Sequence, residues 1–123
     1  MKHFLIPLCA FLLLYGCEKP KVNNRQEFNF KTEYQAVLLD NGQYFFGKLE
    51  NADSEYPLLK DVFYVRSEVN RETKEAKGIL IKRGNEWHGP DIMYINAKHI
   101  VVIEPVSPES KVAQLIKEEK IQK

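Results

Sequence analysis

The chain has 123 residues, 44% of them hydrophobic and 28% charged, with 18 basic and 17 acidic side chains. That length holds one modest domain, and that composition belongs to a globular rather than a disordered chain. The near-neutral balance argues against a nucleic-acid partner, which needs clustered positive charge, and offers no general attraction to acidic lipids.

Met1-Lys2-His3 is a short basic start, Phe4 to Gly16 are thirteen residues without a charge, and Glu18-Lys19-Pro20-Lys21 turns abruptly polar. This order is that of a secretory signal peptide. A spanning helix needs about 20 apolar residues, so the stretch is too short to cross a bilayer, and Pro7 disfavours a permanent helix. Cleavage after Gly16 removes Cys9 and Lys2, leaving 107 residues with 17 basic and 17 acidic groups and Cys17 as the single cysteine. An exported small domain commonly relies on disulfides, but this one must rely on packing.

Leu14-Tyr15-Gly16-Cys17 resembles the lipobox of bacterial lipoproteins, with Leu three positions before the cysteine and a small residue directly before it. Tyr15 departs from the small or β-branched residue usual at its position. The resemblance implies a diacylglyceryl thioether on Cys17, cleavage between Gly16 and Cys17, and anchoring by palmitate-type acyl chains in membrane lipid, each CH₂ adding about 0.8 kcal/mol. Glu18 is not the Asp linked to inner-membrane retention, which in a Gram-negative host implies an outer-membrane anchor facing the periplasm.

The expected organisation is a signal peptide at 1–16, a lipidated N-terminus and flexible linker at 17–31, a β-barrel domain at 32–106, and a helix with a tail at 107–123. Phe28 and Phe30 alternate with polar neighbours and are candidates for a first strand. Tyr34–Leu39 and Tyr44–Glu50 flank Asp40-Asn41-Gly42-Gln43, a hairpin signal that points to a type I′ turn. Gly47 inside the second strand marks a bend or bulge. Leu58–Arg66 is rich in β-branched and aromatic residues, Ser67–Lys77 reads as a polar hairpin tip, and Gly78–Arg83 as the fourth strand. After a Gly84–Asp91 loop come Ile92–Ile95, a tight turn at Asn96–His99, and Ile100–Glu104. In the tail, Ser107 is the candidate N-cap, Pro108 suits the first helical position, and Val112, Leu115 and Ile116 share a face that packs on the barrel. The last residues, KEEKIQK, are expected to fray.

The fold class is mainly β: five or six short antiparallel strands closing on themselves, with a C-terminal helix. The run DNGQYFFGKLENADSEYPLLKDVFYV resembles the opening meander of SH3-like and Sm-like barrels, a likeness of pattern over about half the chain that speaks to fold and little to function.

No chemistry-bearing constellation emerges. Gly84-Asn85-Glu86-Trp87-His88-Gly89-Pro90-Asp91 holds the only Trp, which is expected to plug the barrel end for its buried area. The alternative is a binding loop in which Trp87, His88 and Asp91 join Tyr44 and Tyr64, with Phe46 and Tyr94 nearby, as an aromatic surface. His88, Asp91 and His99 match no metal-ligand spacing, so neither metal nor cofactor is expected. The serines Ser54, Ser67, Ser107 and Ser110 lack a nucleophile setting, and there is no glycine-rich phosphate loop. In a regular strand Asp61 shares a face with Leu59 and Phe63, where burial would raise its pKa; a strand-edge place is commoner. The expectation is a non-enzymatic envelope lipoprotein that binds a protein partner. The alternatives are a small-ligand or cell-wall-glycan binder and, opposed by export and charge, an Sm-like nucleic-acid binder.

Overall fold

The computed structural model describes Gly16 and residues 28–122. The signal peptide expected up to residue 16 (apart from Gly16), the expected lipidation site Cys17 and the expected linker as far as residue 27 lie outside the described residues.

Six strands form one antiparallel sheet: β1 (Gln35–Leu39), β2 (Tyr44–Glu50), β3 (Leu58–Val69), β4 (Ala76–Lys82), β5 (Ile92–Tyr94) and β6 (Ile100–Pro105). A 3₁₀ turn at Ala97–His99 precedes β6, and one helix, α1 (Lys111–Ile121), follows it. The strand order is β4-β3-β2-β1-β6, with β5 paired to the start of β3. Mainly β with a C-terminal helix is therefore the architecture. Closure is not: β4 and β6 remain the two ends of the sheet among the described residues. The three-residue β5 bonds only to Leu58–Lys60 and is too short to bridge them.

Neighbouring residues in a strand point to opposite faces, and here both faces are apolar. Tyr34, Ala36, Phe63 and Val106 form one cluster beneath Ala113 and Ile116 of α1. Val37, Phe45, Leu49, Leu59, Val62 and Ile95 form the other. Phe30 packs against the second cluster and stacks with Phe28 at 5.9 Å. Neither residue forms the first strand for which they were candidates.

Several local expectations need correction. In the first hairpin only Gly42 has positive φ, +81°, so the turn is not type I′. Gly42 N–H donates to the Leu39 carbonyl (2.9 Å) and Leu39 N–H to the Gln43 carbonyl (3.0 Å), which makes a three-residue loop with glycine at its left-handed position. The second hairpin is longer than its polarity suggests: β3 runs to Val69 and β4 starts at Ala76, so the tip shrinks to 70–75. Ladder hydrogen bonds, not burial, hold these exposed strand ends. Ser110, not Ser107, caps α1, its hydroxyl accepting from Ala113 N–H (3.2 Å). Ser107 instead bonds the Glu109 carboxylate (2.7 Å).

The bulge foreseen at Gly47 lies on the partner strand. Phe46 faces Phe63 and Lys48 faces Lys60, so Gly47 opposes two residues, Asp61 and Val62. Asp61 takes φ +50°, a left-handed conformation that Asp tolerates better than most residues. A Cβ on Gly47 would sit 2.7 Å from the Lys60 carbonyl oxygen and 2.8 Å from Leu59 Cγ, so only glycine fits. The extra residue also shifts the side-chain alternation of β3. Leu59 and Phe63 consequently fall in different clusters, not on one face. Gln35, buried at 2% exposure, completes the mismatch. Its Oε1 accepts from Leu49 N–H (2.9 Å) and its Nε2 donates to the Thr32 carbonyl (2.7 Å), so no polar atom of that amide is wasted.

Candidate functional site

Two regions concentrate polar and aromatic groups, one half-buried and one exposed. The first centres on Asp61, which the bulge turns toward α1. Lys82 of β4 donates to its Oδ1; Tyr34 donates to its Oδ2, and Lys120 of α1 lies 2.8 Å from that same oxygen. Lys120 also donates to the Tyr34 hydroxyl (2.5 Å). The lysine ammoniums sit over aromatic faces as well, Lys82 at 4.8 Å from the Phe63 centroid and Lys120 at 5.2 Å from that of Tyr34.

Burial alone would raise the Asp61 pKa, as expected from its strand. The hydrogen bonds from Lys120, Lys82 and Tyr34 outweigh it and hold the carboxyl well below the usual range. Tyr34 is pushed up to about 12, first by burial and then by its bond to Asp61. Lys120 is raised by its bonds to Asp61 and Tyr34. Each shift moves the group away from neutral pH, so the cluster keeps fixed charges and acts as a cross-link between α1, β3 and β4. A cleft of about 130 Å³ lies beside it, lined by Tyr34, Val106, Ile116 and Lys120 among others.

Sequence reasoning singled out Asp61 but missed Tyr34, Lys82 and Lys120, and assigned Lys120 to a frayed end. The helix instead persists to Ile121. The overlooked signal is spacing: Ala113, Ile116 and Lys120 lie three and four apart, on the stripe that faces the sheet.

The second region is the loop after β4. Trp87 does not plug anything; its exposure is 107%. The interior it was expected to fill is already occupied by Phe45, Leu59, Val62 and Ile95. The backbone beneath it is nevertheless held. Glu86 carboxylate accepts from Gly84 N–H (2.8 Å), and Gly89 N–H donates to the Glu86 carbonyl (2.8 Å). Glu86 also stands 3.5 Å from Arg83, and its carboxyl is lowered chiefly by the Gly84 amide. Gly84 (φ +134°) and Gly89 (φ +55°) supply the turns that aim the loop outward.

Of the proposed aromatic surface, the fold joins only part. Trp87 and Tyr64 line one shallow hollow with Arg66, Ile81, Lys82 and Asn85. Asp91 lines a separate hollow with Arg83, Gly84 and Pro90. Tyr44 stacks on Phe46 at 6.2 Å, and Phe46 packs into the α1-side cluster, on the face opposite Tyr64. Tyr94 stands on β5, 71% exposed. His88 is exposed, and His99 Nδ1 contacts Asp40 Oδ2 at 2.7 Å, in the first hairpin. His88, Asp91 and His99 form no cluster: among the described residues no three His, Cys, Asp or Glu groups are placed to share a metal ion.

No helix among the described residues is long and apolar enough to cross a membrane. The chain matches no protein-family model and no curated protein.

Proposed function

We propose that this chain is a lipid-anchored envelope lipoprotein whose β-rich domain is a non-enzymatic protein-interaction module. The observation that carries the interaction reading is Trp87, fully exposed on a loop whose backbone is held by Glu86. An exposed Trp on a braced loop, flanked by Tyr64 and Arg66, has the composition of a binding hot spot and loses little entropy on association. The signal-peptide pattern and the lipobox resemblance at Cys17 support the anchor, with the outer membrane facing the periplasm as its place in a Gram-negative host. An open six-stranded sheet with a 3₁₀ turn before the last strand is compatible with an SH3-like or Sm-like ancestry.

Two experiments test this. Labelling cells with a radioactive fatty acid should mark the chain and fail to mark Cys17→Ser; label retained in the variant removes the anchor. Co-purification from crosslinked membranes should return one defined partner that Trp87→Ala loses; recovery of the chain alone removes the interaction reading. A second reading, a cell-wall-glycan binder, is favoured by Asn85, Glu86 and Arg66 around the Trp87 ring, an aromatic platform with polar neighbours. Because Trp87 is the only Trp, its fluorescence reports directly, and an unshifted spectrum with glycan fragments rejects that reading.

A further inference from the structure

We propose that the cleft between the Tyr34 ring and α1 binds a small monocarboxylate whose apolar body is no larger than one ring. The site shares no residue with the Trp87 hollow and does not depend on the interaction reading.

The cleft has two walls. On the helix, Ala113, Ile116, Lys117 and Lys120 recur three and four apart, so one stripe of α1 faces it. Opposite stands Tyr34, held at both ends. Its carbonyl accepts from Val106 N–H (3.0 Å), and its hydroxyl accepts from Lys120 (2.5 Å). The ring spans the gap between those anchors and so runs along the cleft, which gives the cleft a polarity. Its apolar end lies near Val106, and its cationic end lies near Lys120. The helix keeps the same order: Ala113 comes about two turns before Lys120, and Lys117 lies within one turn of it.

Size restricts the guest. The cleft holds about 130 Å³, and a dry apolar cavity of about 150 Å³ accepts one benzene-sized molecule. Sites for larger ligands run from about 300 Å³ upward, so neither a glycan chain nor a peptide fits inside. Charge then decides which end group the guest carries. Glu33, on the rim, already pairs with Lys48 (2.8 Å), and Asp61 is shared by Lys82 and Lys120. Lys117 is exposed and forms no ion pair among the described residues. The Glu109 carboxyl is held low first by the Ser107 hydroxyl and feels Lys117 more weakly. Four lysines thus stand against three carboxylates, and the balance at the mouth is positive. A carboxylate relieves that surplus, whereas an amine adds to it. The long stem of Lys117 lets its ammonium reach an anion at the mouth while the apolar body lies between Tyr34 and Ile116.

The test uses the full-length chain in lipid nanodiscs, with isotope-labelled Ile and Val methyl groups, titrated with benzoate, benzamide and benzylammonium. In NMR spectra benzoate should shift the Ile116 and Val106 signals with millimolar affinity, as fits so small a guest. Benzamide has the same shape without the charge and should bind about threefold more weakly, with benzylammonium weaker still. Lys117→Gln, at an exposed helix position, should lower benzoate to the benzamide affinity and leave benzamide unchanged. Ala113→Leu fills the apolar end and should abolish binding of all three; if that variant fails to fold, Lys117→Gln decides. Trp87→Ala should bind benzoate as the parent chain does. The proposal is overturned if benzoate moves neither methyl signal, if benzoate and benzamide bind equally, or if the benzoate preference survives in Lys117→Gln. Full binding by a folded Ala113→Leu also overturns it, as does loss of binding in Trp87→Ala, which would place the guest in the other hollow.

Discussion

The Asp61 cluster and the Trp87 loop both draw on Lys82, yet they put side chains to opposite uses. Around Asp61, groups from the segment before β1, from β3, from β4 and from α1 converge on one carboxylate, and each side chain is locked by its partners. Around Trp87 the backbone is held and the indole is left in solvent. The first arrangement joins elements far apart in sequence, Tyr34 and Lys120 being 86 residues apart. The second joins nothing within the chain. A chain that cannot rely on a disulfide within the described domain concentrates its tertiary cross-linking at one polar node and keeps its largest aromatic side chain out of the core. Stability and the recognition proposed for the Trp87 loop can therefore be perturbed separately.

The sharpest test of that separation is Gly47→Ala. Its Cβ would press on the Lys60 backbone and the Leu59 side chain, displacing the bulge that aims Asp61. A loss of about 3 kcal/mol is expected in urea unfolding, the cost of forcing atoms into a packed site. Asp61→Asn keeps a residue suited to positive φ and removes the charge, leaving Lys82 and Lys120 without their counter-ion. About 2 kcal/mol should be lost, less than for a fully buried pair because solvent screens the lysines. If Asp61→Asn is silent while Gly47→Ala is severe, the bulge matters for packing and the polar node does not.

A pH series gives a smaller effect with a defined sign. The Asp61 carboxyl is lowered in the folded chain, so its contribution is complete above about pH 4, the unfolded value, and is lost as pH falls toward the lower folded one. Tyr34 is raised to about 12, so its contribution is complete below about pH 10 and is lost as pH rises through 12. Lys120, also raised, acts in the same direction. Unfolding free energy should fall on both sides of a broad plateau, and Tyr34→Phe should flatten the alkaline side. An unchanged alkaline limb in that variant would detach the hydroxyl from the network. The smallest expected change in stability is that of Trp87→Ala, within about 0.5 kcal/mol, since a fully exposed side chain buries nothing. A larger loss would mean that the indole supports the fold and is no different in kind from the Asp61 cluster.

Read from residues alone, the strands, their order along the chain and the helix were accessible, because short apolar, partly alternating runs such as Tyr34–Leu39 and turn residues such as Asn41-Gly42 express local preferences. The glycine-marked bulge was accessible for the same reason: Gly47 interrupts a strand in which only close backbone approach makes a missing side chain useful. What tertiary structure alone decided was which strand carried the extra residue, and with it the faces of Leu59, Asp61 and Phe63. A single inserted position inverts side-chain direction, and periodicity cannot say on which side of a ladder the insertion falls. The same holds for Lys120, a charged residue near a chain end that becomes an anchor only when a carboxylate 59 positions earlier arrives beside it. It holds for Trp87 too, whose exposure depends on the interior being filled by other side chains.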